Sequence, residues 1–197
     1  MKALREREPQ VRGVISATRG NHGQSIAFAA KRHGLSATIV VPHGNSVEKN
    51  AAMRALGAEL IEHGDDFQAS REHAATLATQ HALHFVPSFH RDLVLGVATY
   101  WVELFRAVQP DVVFVPIGMG SGISACSTAR AITGVSTRIV GVVSAHATAY
   151  LDSFRAGRVV EAPTTTQLAD GMACRLPDAA ALEVIRCEVD DVVAVTD

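Results

Sequence analysis

Thr18, Asn21 and Gln24 stand three residues apart in the stretch SATRGNHGQSIAFAA, with Gly20 and Gly23 between them. The apolar run VISA leads in and a string of small helix formers leads out, so the polar residues fall where a strand turns into a helix. A helix start carries backbone N–H groups without intrahelical partners and a partial positive charge, which suits an anion. Amide and hydroxyl side chains beside glycines fit a carboxylate there. A second turn, PIGMGSGIS, follows the run DVVFV, and in it Gly118, Gly120 and Gly122 alternate with Met119 and Ser121. Successive N–H groups of such a turn form a nest that cradles a phosphate. A glycine-rich turn with no ligand remains an alternative. A P-loop is excluded because no Gly-Lys-Ser/Thr follows, and a dinucleotide fingerprint needs G-x-G-x-x-G with an acidic residue after the next strand. The next run, RIVGVVSAH, has Ser144 there instead.

The elements that must position these turns alternate. Short β-branched runs occur at 14–17, 37–41, 58–62, 84–87, 111–116, 138–143 and 191–195, each too short for a helix. Between them, helical stretches are predicted over 22–32, 47–56, 67–81, 93–108 and 123–132, with Ser46 and Asp66 as N-caps. Strand, helix, strand is the signature of a parallel sheet covered on both faces, with ligands outside the C-terminal strand ends. The region 145–177 reads as the least regular, and EAPTTTQLADG within it as loop. Trp101, Tyr100, Leu104 and Phe105 form a mixed helix face, read as core or subunit contact.

Composition narrows the function. The 197 residues are 48% hydrophobic and carry 18 Lys and Arg against 20 Asp and Glu, without a basic run, which argues against nucleic acid as partner. The 3 cysteines form no C-x-x-C pair, so neither a disulfide framework nor a cysteine zinc site is expected. The 9 histidines include no H-E-x-x-H, and no metal site is expected at His81 and His84. Ser124 and Ser127 lack the G-x-S-x-G context of a hydrolase nucleophile. The charged start MKALREREPQ has no signal-peptide character and no apolar run is long enough for a membrane helix, so a cytoplasmic protein without a membrane partner is expected.

The two turns occur in order with VPHGNSVEKNAAMRALGAELIEHGDDF, VPSFHRDLVLGVATY and LADGMACRLPD. Together they resemble the fold-type II pyridoxal-phosphate (PLP) enzymes, the tryptophan synthase β-like family, and within it the threonine and serine dehydratases. The resemblance implies an α/β fold of three αβα layers with mostly parallel, doubly wound sheets in two lobes. It places a small lobe over 14–92, part of a PLP-binding lobe over 93–197, and a charged segment over 1–13. By the same resemblance Asn21 bonds the cofactor's phenolic oxygen, and Gly118, Met119, Gly120, Ser121 and Gly122 hold its phosphate. Gly171 brings main chain near the cofactor ring. Thr18, Gly20, His22, Gly23 and Gln24 form the loop that takes the substrate carboxylate, with Arg19 beside it. The implied reaction is β-elimination from a hydroxy-amino acid, giving a 2-oxo acid and ammonia.

Two departures from the family pattern matter. The family's Schiff-base lysine falls ahead of Met1, and Lys2 lacks the Ser-Phe-Lys context, so no catalytic residue is assigned in this chain and the chain alone is expected to be inactive. Lys31 and Lys49 read as solvated residues on polar helix faces. Arg19 stands where serine racemases place a proton-carrying serine, and a guanidinium does not pass protons, so racemisation is disfavoured. A binding module without chemistry, or another PLP-dependent β-elimination or β-replacement enzyme, are the alternatives to a dehydratase. The family's absent terminal pieces leave the strands over 112–115 and 139–143 expected to expose apolar surface. A homo-oligomer is expected, with residues 14–89 the better protected part.

Overall fold

A computed structural model describes residues 1–166 and 168–197; Gln167, within the stretch read as loop, lies outside the described residues. The chain divides into two compact units, Met1–Ser88 and Phe89–Asp197.

In the first unit, helix α1 (Lys2–Arg7) precedes strand β1 (Gly13–Ala17), followed by α2 (Asn21–Arg32), β2 (Ser36–Val41), α3 (Val47–Ala55), β3 (Glu59–Glu62), α4 (Phe67–Gln80) and the short β4 (His84–Phe85). The strands are all parallel in the order β3-β2-β1-β4. The two central strands are apolar at nearly every position because both sheet faces are buried. Val14, Ala37, Ile39 and Val41 pack with Ile26, Ala27 and Ala30 of α2 and Met53 of α3. Their neighbours Ile15, Ala17 and Val40 point the other way, onto Ala74 and Ala78 of α4. Within the charged N-terminal segment, Leu4 on α1 is buried in the α2-side core. Ser46 and Asp66 cap their helices, accepting from the N–H groups of Lys49 and Ala69.

The second unit starts with α5 (Arg91–Ala107), then β5 (Val112–Pro116), α6 (Ser121–Thr133), β6 (Arg138–Ser144), α7 (Ala149–Ala156), a single 3-10 turn (Asp170–Met172), α8 (Ala179–Glu188) and β7 (Asp191–Val195). Its sheet is parallel in the order β5-β6-β7. One core joins Trp101 and Phe105 of α5, Ile123 and Cys126 of α6, Tyr150 of α7, Ile185 of α8, and the strand residues Val115, Ile139 and Val192. Tyr100 and Leu104, beside Trp101 and Phe105, stay exposed.

The region 145–177 is the least regular of the described chain, as its sequence suggests: it holds only the helix Ala149–Ala156, which closes on Gly157 in the left-handed conformation (φ 71°), and the 3-10 turn. One expectation from the sequence is corrected here. Most of the apolar exposure foreseen for 139–143 is missing: Ile139, Val140 and Val143 are buried and Val142 is partly buried, Ile139 and Val143 because helices cover that face of the sheet. Exposure belongs to the outer strands, at Val112 and Phe114 of β5 and Val195 of β7.

Candidate functional site

Both turns sit at the C-terminal end of a parallel strand. In the first unit β1 ends at Ala17 and α2 begins at Asn21. Thr18 is buried, and its Oγ1 accepts the N–H groups of Gly20 (2.9 Å) and Gly23 (3.4 Å). Its oxygen is thus engaged inside the turn, acting as a cap that Gly20 cannot supply. Two of the free N–H groups of the helix start are consumed in this way. Those of Asn21 and His22 have no hydrogen-bond partner among the described residues, and they leave adjacent donors at the positive end of α2. The Gln24 N–H bonds the Gly20 carbonyl, and the Asn21 side chain is exposed.

His22 turns back into the protein. Ser16 Oγ donates to the Val86 carbonyl (2.7 Å), so the 3.0 Å contact between Ser16 Oγ and His22 Nε2 is donated by the imidazole. Burial pushes the ring's pKa down to about 4, against an opposing pull from the Val86 carbonyl. The ring is therefore a neutral anchor at ordinary pH. Gly23 is a packing glycine: a Cβ there would meet Met53 Sδ and Thr18 Cγ2, both at 2.5 Å. Arg19 is partly buried, and its Nε is shielded from solvent with no hydrogen-bond partner among the described residues. Lys49 departs from the expectation of a freely solvated side chain, since its Cδ lies 2.9 Å and its Nζ 3.7 Å from where a Gly20 Cβ would stand. It brings an ammonium beside the turn, a placement that no local pattern around α3 announces.

In the second unit the glycine turn joins β5 to α6. Gly120 is the N-cap of α6 with φ 91°, a conformation that glycine adopts without strain. The N–H groups of Gly118, Met119, Gly120, Ser121 and Gly122 have no partner among the described residues. Gly171 lies against this turn, its carbonyl oxygen 2.5 Å from the position of a Gly118 Cβ, so any side chain at 118 would strike main chain. A Cβ on Gly122 or Gly171 would meet nothing within 4 Å. The turn also has a partner that sequence reasoning missed: Tyr150 Oη donates to the Met119 carbonyl at 3.0 Å.

Parallel α/β units whose strand-to-helix turns expose anion-binding N–H groups define a class of phosphate-cofactor proteins. The family profile described as "Pyridoxal-phosphate dependent enzyme" matches residues 1–197, and the chain belongs to this family. It is 36% identical over 192 residues to the L-threonine ammonia-lyase of Geobacter sulfurreducens, covering 96% of this chain and 48% of that one. The L-threonine ammonia-lyase of Thermotoga maritima is 34% identical, with the same coverage of each chain. Among solved structures, the processed form of threonine deaminase isoform 2 from Solanum lycopersicum superposes with a TM-score of 0.86 at 30% identity, covering 96% of this chain and 56% of that one. The chain thus has the tryptophan synthase β-like fold and spans about half the length of these curated relatives. The residues present fit the cofactor's phosphate: a row of unpartnered N–H groups, open space at Gly122, and a helix N-terminus behind them.

Proposed function

We propose that this chain carries the substrate-carboxylate turn and the phosphate turn of a PLP-dependent threonine/serine dehydratase, which converts a hydroxy-amino acid to a 2-oxo acid and ammonia. The observation that carries the reading is the row of unpartnered N–H groups from Gly118 to Gly122 with Gly171 main chain against it. In this reading the row holds the phosphate of PLP, and Asn21 meets its phenolic oxygen. The N–H groups of Asn21 and His22 take the substrate carboxylate, within a loop that also contains Thr18, Gly20, Gly23 and Gln24. Arg19 and Lys49 add positive charge beside that loop. When bound, PLP supplies an electron-withdrawing ring that stabilises negative charge at the substrate Cα. The threonine ammonia-lyase relatives support hydroxy-amino acids as the substrate class.

Gly122 gives a cleaner test than Gly120, whose Cβ would meet Ala181 Cβ at 2.7 Å and so confound binding with packing. Gly122→Asp places a carboxylate at the mouth of the nest, in open space, and at a helix start that tolerates acidic residues. Calorimetry should show PLP and inorganic phosphate binding to the wild type and to Gly122→Ala, with binding to Gly122→Asp abolished. Ser121→Ala should matter little, because the N–H survives. Equal affinity of wild type and Gly122→Asp would remove the phosphate site from this turn. The chain alone should give no 2-oxo acid from L-threonine or L-serine under either reading, so the coding sequence upstream of Met1 separates the lyase from a binding module: an in-frame Ser-Phe-Lys-x-Arg-Gly supports the lyase, and its absence supports the module.

A further inference from the structure

The glycine turn can hold an anion only if its N–H groups point the same way, and Gly120 is the position least able to arrange this by itself. Glycine moves freely through conformations that other residues rarely adopt, so the direction of its N–H needs an external restraint. Tyr150 supplies one. It is among the largest fully buried side chains, and its hydroxyl makes two bonds: it donates to the Met119 carbonyl (3.0 Å) and accepts from the Asp178 N–H (3.2 Å). Asp178 in turn caps α8, its Oδ1 accepting from Ala180 and Ala181. The Met119 carbonyl and the Gly120 N–H belong to one planar trans peptide, in which the two groups point in opposite directions. Holding the carbonyl toward Tyr150 therefore aims the N–H away from it. The same side of the turn is filled by protein, because a Gly120 Cβ would stand 2.7 Å from Ala181 Cβ and 3.2 Å from Tyr150 Oη.

We propose that Tyr150 is a positioning residue for the anion nest: by bridging the Met119 carbonyl to the start of α8, its hydroxyl fixes the direction of the Gly120 N–H. The proposal rests on the reading that this turn holds a phosphate. Burial holds the phenol protonated by raising its pKa, with the neighbouring Cys174 acting in the same direction and the Asp178 N–H opposing more weakly, so the donated bond persists across the working pH range. A phenylalanine would fill the same core but leave the Met119 carbonyl and the Asp178 N–H unpaired.

The test is Tyr150→Phe in the full 15N-labelled chain, read by amide spectra with and without inorganic phosphate. In the ligand-free variant the Met119 and Gly120 signals should move and Asp178 exchange should quicken, while α2 signals stay in place. The dissociation constant for inorganic phosphate should rise roughly tenfold, the scale expected when one such restraint is lost. A merely structural tyrosine would lower the melting temperature and leave both the Gly120 signal and the phosphate affinity at wild-type values; that result overturns the proposal. If wild type fails to bind phosphate while the ligand-free Gly120 signal still moves in the variant, the phosphate reading falls and the positioning of the turn stands. Should Tyr150→Phe not fold, the wild type decides: a slowly exchanging Tyr150 hydroxyl proton with a cross-peak to the Asp178 amide supports the bridge, and its absence overturns it.

Discussion

His22 shows how one residue couples a turn to the acid sensitivity of the fold. Its ring titrates at about 4 in the folded chain against an ordinary value of 6.5. Above 6.5 neither state holds the extra proton, and between 6.5 and 4 only the unfolded chain binds it, so stability is lost as pH falls through that window. The loss reaches about 3 kcal/mol at the lower end. Urea midpoints at neutral and mildly acidic pH should therefore separate more for wild type than for His22→Gln, whose amide can still reach Ser16. Because His73, stacked on His63 at 3.7 Å, is also shifted down, the difference between the two proteins is the measure rather than the raw slope. Parallel pH dependence in both would show that His22 does not titrate in this way. The position of His22 in a strand-to-helix turn was legible in the sequence. Its bond to Ser16, six residues back and itself bonded to Val86, was not, because that geometry exists only once β1 and β4 pair.

The elements were legible where local chemistry sets them. Among the described residues all seven strands fall on the β-branched runs, and α2 to α6 fall on the small or amphipathic stretches between them. Asp66 is a case in point: its carboxylate accepts from Ala69 at 2.8 Å, as an aspartate before a helix-forming run should. Replacing it with alanine should cost about 1 kcal/mol in chemical denaturation, with Asp66→Asn recovering most of it, since asparagine also caps. An unchanged midpoint for Asp66→Ala would mean that α4 is held by packing alone. The helix α7 had no such signal. Its Thr148 makes no cap bond and instead donates its hydroxyl to Asp152, so α7 begins without a local marker and is held by Tyr150 and Leu151 in the core. The helix α8 was not among the predicted stretches either, although Asp178 after Pro177 is a local start signal and its apolar residues Ala181, Leu182 and Ile185 face the core. Tyr150 itself was beyond sequence reasoning, because its partners at Met119 and Asp178 are far away along the chain.

For the whole molecule, the two sheets differ in how they are covered. The first has cores on both faces, whereas the second packs one face and leaves Phe114 67% exposed on the other, beside Val112 and with Val195 across the sheet. We propose that the isolated chain associates through this apolar face. Sedimentation should show dimers or larger species for wild type, shifted toward monomer in Phe114→Asp; a monodisperse wild-type monomer would sink the idea. The first unit has a different consequence, one of order in time. Its strands β1, β2 and β3 add in sequence to one side of the sheet, and β4 closes the other side by Phe85. These four strands are therefore all synthesised before the second unit, and N-terminal domains generally fold first during synthesis. The turn at Thr18 to Gln24 therefore leaves the ribosome well ahead of the turn at Gly118 to Gly122, so the strands that position the first are available to pair before the second has emerged.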